Sequence, residues 1–285
     1  MHHIITLIEL LAIYLVVGAI VGANAGFIGG GGGTITMPIL IYTFTLLGYP
    51  LNASVHTAVG TSLFLIFVSA LSGSLVHISR KSVHFKIFGV LACAGVVGAW
   101  VGGVLSVRMD GDVFKKLLAV MLLLLVYRIH HDQRKEGGNG MDIGAGGFDP
   151  GADQPVYIYV SSIIIGFLSG FLSGFFGIGG AIVMLPASLY ILRFSPIEAV
   201  AHSTCLMVVT ACIGFVTQIY YGLDAESVLP GSIGYFNYMA GIPMAVSGIV
   251  VTRWAAARAH TIDHEKLRDV LLVVLVIASL IMVIK

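Results

Sequence analysis

The chain has 285 residues, of which 58% are hydrophobic and 10% charged, with a formal net charge of +1 and a mean hydropathy of +0.99. A soluble domain carries about a quarter charged residues, so the composition argues against a soluble enzyme, and the near-zero charge against a nucleic-acid partner. The three cysteines, Cys93, Cys205 and Cys212, sit inside apolar runs with no Cys-x-x-Cys pair, which speaks against a disulfide framework or a zinc site.

Apolar runs of membrane-crossing length recur from end to end, and no short alternating strands of a β-barrel intervene. The class is an all-α polytopic membrane protein. The first run, 4–28, flows into "GFIGGGGGTITMP" (26–38) without a small-residue cleavage site, so it is read as structure rather than a signal peptide. Runs at 33–48, 53–78, 85–106 and 114–130 follow. The segment 131–155 is polar and rich in Gly and Asp, the composition of a flexible extramembrane linker. Five further runs complete the chain: 156–177, 181–194, 198–221, 228–254 and 266–284. The predicted organisation is a first membrane repeat (1–130), the linker, and a second membrane repeat (156–285).

The two halves are similar in sequence. "GFIGGGGGTITMP" matches "GFFGIGGAIVMLP" (174–186), so Gly29, Gly31, Gly32 and Pro38 fall on Gly177, Gly179, Gly180 and Pro186. "YPLNASVHTAVGTSL" (49–63) matches "SPIEAVAHSTCLMVV" (195–209), which pairs His56 with His202. "RMDGDVFKKL" (108–117) matches "RAHTIDHEKL" (258–267). Five runs per half reverse the second copy, so the repeats are expected to be inverted, with broken helices at the glycine turns. With both termini outside, eleven Lys and Arg fall on inner loops and four on outer ones, as the positive-inside rule expects. The linker is then cytoplasmic.

Glycine and proline at membrane depth break helices, and non-helical backbone is tolerated there where protein buries it or it lines a cavity. Short, Gly-interrupted runs in matching positions of two halves point to a transporter site. A helix N-terminus offers free N–H groups and partial positive charge to an anion. The competing reading is close helix packing, which also uses glycine; five consecutive glycines exceed what one helix contact needs. No Asp or Glu lies mid-run to hold a cation. An anion would instead meet backbone and hydroxyls: Gly29, Gly31, Gly32, Gly33, Thr34, Thr57, Thr61 and Ser62 in one half, and Gly177, Gly179, Gly180, Ser203, Thr204 and Cys205 in the other. His56 and His202 read either as carriers of a coupling proton or as polar caps donating to a carbonyl. Cys205 also reads as a small buried hydrophobe, and Asn24, Gln218 and Asn237 as interhelical hydrogen bonders.

The doubled Gly–Pro block, with "AVGTSL" (58–63) following its first copy, resembles the TauE/SafE family of membrane anion permeases. The resemblance covers nearly the whole chain. It implies export of sulfite, organosulfonates or related sulfur-containing anions across a prokaryotic plasma membrane. The partners expected are thus a small inorganic or organic anion, the lipid bilayer and a coupling proton, without a cofactor. An anion channel is the alternative within transport. An intramembrane enzyme lacks a metal or nucleophile set, since "HEKLR" (264–268) has no second histidine. A membrane assembly factor has no need of repeated broken helices.

Overall fold

The computed structural model describes residues 2–28, 32–136, 155–225 and 228–258. In lipid each backbone polar group must be satisfied within the protein, and a helix does so within one segment. The described residues accordingly form nine helices: α1 (His2–Ile28), α2 (Gly33–Leu46), α3 (Leu51–Ser79), α4 (Phe85–Arg108), α5 (Gly111–Glu136), α6 (Val156–Phe176), α7 (Ala181–Tyr190), α8 (Pro196–Gly222) and α9 (Tyr238–Arg258). Helices α3, α4, α6 and α8 are long and apolar enough to cross a membrane. The ten residues of α7 reach about 15 Å, half a bilayer core. Helix α5 continues to Glu136, past the start of the segment assigned to the linker.

Two further runs differ from their sequence-based bounds. Residues 228–237 are not helical. Gly231 and Gly234 take φ of 75° and 56°, and the chain folds into a short hairpin, β1 (Ser232–Ile233) on β2 (Phe236–Asn237). Asn237 then starts α9, its Oδ1 accepting the Ala240 N–H at 2.9 Å, which is how an N-cap works. Helix α7 stops at Tyr190, and the Phe194 N–H turns back to the Ser188 carbonyl at 3.0 Å. The run 266–284 lies outside the described residues.

Small residues set the packing, as in membrane bundles. Helix α4 lies along α6 in the same direction: Gly98 presses on Phe167 and Gly102 on Phe171, while Gly170 and Gly174 press on Gly95 and Ala99. Helix α1 lies along α9 likewise, Gly18 against Met244 and Gly22 against Gly248. At the centre α3 and α8 run antiparallel: Gly60 meets Gln218, Leu63 meets Gly214, and Gly73 meets Thr204. Exchanging α1–α4 for α6–α9 turns the α4–α6 pair into the α9–α1 pair and leaves the α3–α8 pair in place. The largest apolar cluster among the described residues draws on both halves, with Leu63 and Ile66 from the first and Phe176, Ile178 and Met207 from the second.

Candidate functional site

The site is built on the turns ahead of α2 and α7. After α6 ends, Gly177, Gly179 and Gly180 take φ of 68°, 88° and 67°. That left-handed region costs a residue with a Cβ roughly 1–2 kcal/mol. Gly180 is the residue that caps α7, and Gly32, with φ of 59°, caps α2. These two positions are the ones the repeat aligns. The first helical bonds run from Ile35 and Thr36 to the Gly32 carbonyl, and from Val183 and Met184 to the Gly180 carbonyl. The N–H groups of Gly33, Thr34, Ala181 and Ile182 therefore lie ahead of the helical ladders, where partial positive charge collects.

The turns meet at depth. Gly177 packs on Val59, and Gly179 on Ile66 and Met207. Val59 and Ile66 lie about 12 and 22 Å along α3 from its start, so the turn sits against the middle of a spanning helix. A Cβ on Gly33 would stand 2.6 Å from the Ile178 Cα and 2.7 Å from the Gly177 carbonyl. The start of α2 thus abuts the turn that starts α7. Ser62 Oγ donates to the Gly177 carbonyl at 2.7 Å, and Ser169 Oγ to the Gly180 carbonyl at 2.8 Å. In the first half Thr36 Oγ1 donates to the Gly32 carbonyl at 3.1 Å.

The candidate residues from the sequence divide into groups. Gly32, Gly33, Gly177, Gly179, Gly180 and Ser62 come together at the turns, with Thr34 buried in the first turn of α2. Gly29 and Gly31 lie outside the described residues. His56, Thr57 and Thr61 belong to a second α3 face, directed at the α8–α9 connection. There Gly60 presses on the Tyr235 carbonyl. Thr61 Oγ1 accepts the Asn237 N–H at 3.1 Å, and the His56 and Tyr235 rings lie 5.1 Å apart. His56 Nδ1 and Thr57 Oγ1 are buried with no hydrogen-bond partner among the described residues.

The α8 group is more dispersed. His202 Nδ1 donates to the Glu198 carbonyl at 2.8 Å, and its Nε2 accepts the His84 N–H at 3.0 Å. Its ring stacks on Phe194 at 4.4 Å. This is the carbonyl-capping arrangement. His84 Nε2 pairs with Glu198 Oε1 at 2.7 Å, while Glu198 Oε2 accepts both the N–H and the hydroxyl of Ser195, a capping box at the start of α8. Thr204 Oγ1 donates within its own helix to Val200. Ser203 is buried without a partner among the described residues. Cys205 packs with Val83, Ala201 and Phe88 in a small separate apolar cluster. Gln218 reaches across to Ser106 Oγ at 3.3 Å, an interhelical bond as expected; Asn237 instead bonds within its hairpin, to Pro230 and Ser232.

Sequence reasoning missed Ser169, Tyr235 and His84. For Ser169 a signal existed: "LSGFLSGFF" (168–176) repeats Ser-Gly every four residues, placing both pairs on one helix face. Among the described residues no group of three His, Cys, Asp or Glu is gathered as a metal site.

The profile of the family described as sulfite exporter TauE/SafE matches residues 14–282. The chain belongs to this family. It is 28% identical over 277 residues to a protein of Methanocaldococcus jannaschii named a probable membrane transporter, covering 96% of this chain and 95% of that one. A Bacillus subtilis protein of the same description is 29% identical over 228 residues (77% and 84% covered), and one of Xylella fastidiosa 24% over 251 residues (87% of each). No solved structure matches the chain. Family and relatives together support a TauE/SafE-type membrane transporter held by several spans.

Proposed function

We propose that the protein is a secondary exporter of small sulfur-containing anions such as sulfite or organosulfonates, held at mid-depth by the N-termini of α2 and α7. One observation carries this reading: two left-handed glycine caps, at aligned positions, bring two helix starts together against the middle of α3. Such ends bind anions without a charged side chain, and backbone with no Cβ lets a ligand approach closely. The antiparallel course of α3 and α8, aligned elements of the two halves, supports a pseudo-two-fold axis in the membrane plane. The halves would then rock about the turns to expose them to either side. Both termini lie outside in this reading, with the linker in the cytoplasm of a prokaryotic cell, and a proton is the coupling ion.

Uptake of sulfite, sulfate, thiosulfate, taurine and sulfoacetate by proteoliposomes tests the proposal. Saturable flux of at least one sulfur anion is expected; no flux of any of them would sink it. Flux that never saturates would favour a channel.

A further inference from the structure

The two histidines that the repeat aligns meet different surroundings. We propose that His56 alone is the proton-carrying histidine of the transport cycle, forming with Thr57 a polar subsite on the α3 face turned toward the α8–α9 connection. This rests on the reading of the chain as an anion transporter.

His202 has no capacity left. Its Nδ1 donates to the Glu198 carbonyl and its Nε2 accepts the His84 N–H. An imidazole that donates at one nitrogen and accepts at the other is the neutral form with its hydrogen bonding complete. A proton added at Nε2 would face the His84 N–H, donor against donor. The ring serves to join α8 to the start of α4.

His56 occupies the same repeat position near the start of α3, is only 6% exposed, and leaves Nδ1 without a partner among the described residues. The fully buried Thr57 hydroxyl beside it is also unpaired there. Other buried side chains, among them His77 Nδ1 and Ser203 Oγ, are also unpaired among the described residues; His56 and Thr57 stand out because an imidazole nitrogen and a hydroxyl lie adjacent on one helix, where a polar ligand would satisfy both. The titratable groups facing the ring are Tyr235, from the α8–α9 connection, and Asp110, just ahead of α5.

Distance allows the ring to act on the turns. Ser62, which holds the Gly177 carbonyl, lies six residues further along α3, about 9 Å of helix axis. That rise is the least separation the two backbone positions can have; at a distance of this order an imidazolium and an anion at the turns still attract. Each therefore raises the affinity for the other, and the effect is reciprocal. The anion and the proton then bind together, as symport requires, so outward movement of the anion follows its own gradient against that of the proton.

The test uses purified protein in liposomes, with sulfoacetate and sulfite as probes, at varied pH and with imposed proton gradients. Wild-type flux is expected to respond to the gradient. His56→Gln should lower flux about tenfold, the equivalent of ~1.4 kcal/mol, and abolish the gradient response; His56→Asn should do the same. His202→Gln should lower the melting temperature yet keep the gradient response. Retention of the wild-type response in both His56 variants would overturn the assignment. So would its loss in folded His202→Gln, or a wild type that moves either anion with no gradient response. A wild type that moves neither anion, nor any other in the uptake screen, overturns the transporter reading itself.

Discussion

The glycine turns of the two halves share a backbone and differ in what supports it. Gly32 and Gly180 have the same left-handed cap geometry, so glycine is required in both. Around Gly180 the support comes from outside: Ser169 on α6 holds its carbonyl, and Ser62 on α3 holds that of Gly177. Around Gly32 it comes from within, through Thr36 of the same helix. The aligned counterparts of Ser169, Ser62 and Thr36 are Val21, Val208 and Met184, so each half lacks the other's device. The two turns share what backbone sterics demand and differ in hydrogen bonding. Among the described residues, the second turn is thus tied to α3 and α6, whereas the side-chain bond to the Gly32 carbonyl comes from its own helix.

The largest effect should come from Gly180→Ala. The left-handed backbone costs about 1–2 kcal/mol with a Cβ. The Cβ would also drive into the Ser169 carbonyl and hydroxyl, and overpacking of this kind costs about 1–3 kcal/mol. Thermal melting in detergent should show a deeper loss than in Gly32→Ala, Ser62→Ala or Ser169→Ala, with transport lost as well. A variant that melts like wild type would mean the turn relaxes freely.

Gly32→Ala carries the same backbone cost but meets mainly the Val21 side chain. Its loss should be smaller, and Val21→Ala in the same chain should recover part of it. Coupling in this double-mutant cycle is expected at ~0.5–3 kcal/mol, the range for residues in contact. Gly180→Ala has no such rescue, because the obstacle there includes backbone. Equal losses for Gly32→Ala with and without Val21→Ala would remove the packing part of the comparison.

Much of this comparison was legible in the sequence. The doubled glycine block located both turns, whereas the run over 181–194 overshoots α7, which stops at Tyr190. The partners of the turns were not legible. Ser62 meets a carbonyl 115 positions away, and no local pattern encodes so distant a contact. The hairpin at 232–237 was hidden because Ile233, Tyr235 and Phe236 extend an apolar run while Gly231 and Gly234 redirect it. The histidines aligned in sequence, but what each ring touches depends on connections from the other half.

Ser62→Ala and Ser169→Ala should have intermediate effects. Each leaves a buried carbonyl short of a donor, worth about 1 kcal/mol, or nearer ~0.6 kcal/mol by membrane-protein averages. Each should weaken anion affinity roughly three- to fivefold. Ser62→Thr, which keeps the hydroxyl, should restore most of the Ser62→Ala loss. Val208→Ala, at the matching position of the other half, should leave affinity unchanged. Titration of the best-transported anion against purified protein gives these numbers. Equal losses at Ser62 and Val208 would show that bracing is not what distinguishes the turns.

The smallest effect is expected at Gln218, which bridges the halves from α8 to Ser106 on α4. Its Nε2 donates at 3.3 Å, a long bond, while its Oε1 is buried with no partner among the described residues. Gln218→Leu removes one weak bond and one unsatisfied acceptor at once, and these changes oppose each other. The net should fall within about 0.5 kcal/mol of zero, as for substitutions away from stabilising features. If the halves rock as proposed, a contact between them gains nothing from being strong. Melting temperature and flux should therefore both stay near wild type. If Gln218→Leu keeps its melting temperature but loses flux, the amide makes its second bond in another state of the cycle. The comparison of the halves would then have to include the surface on which they slide.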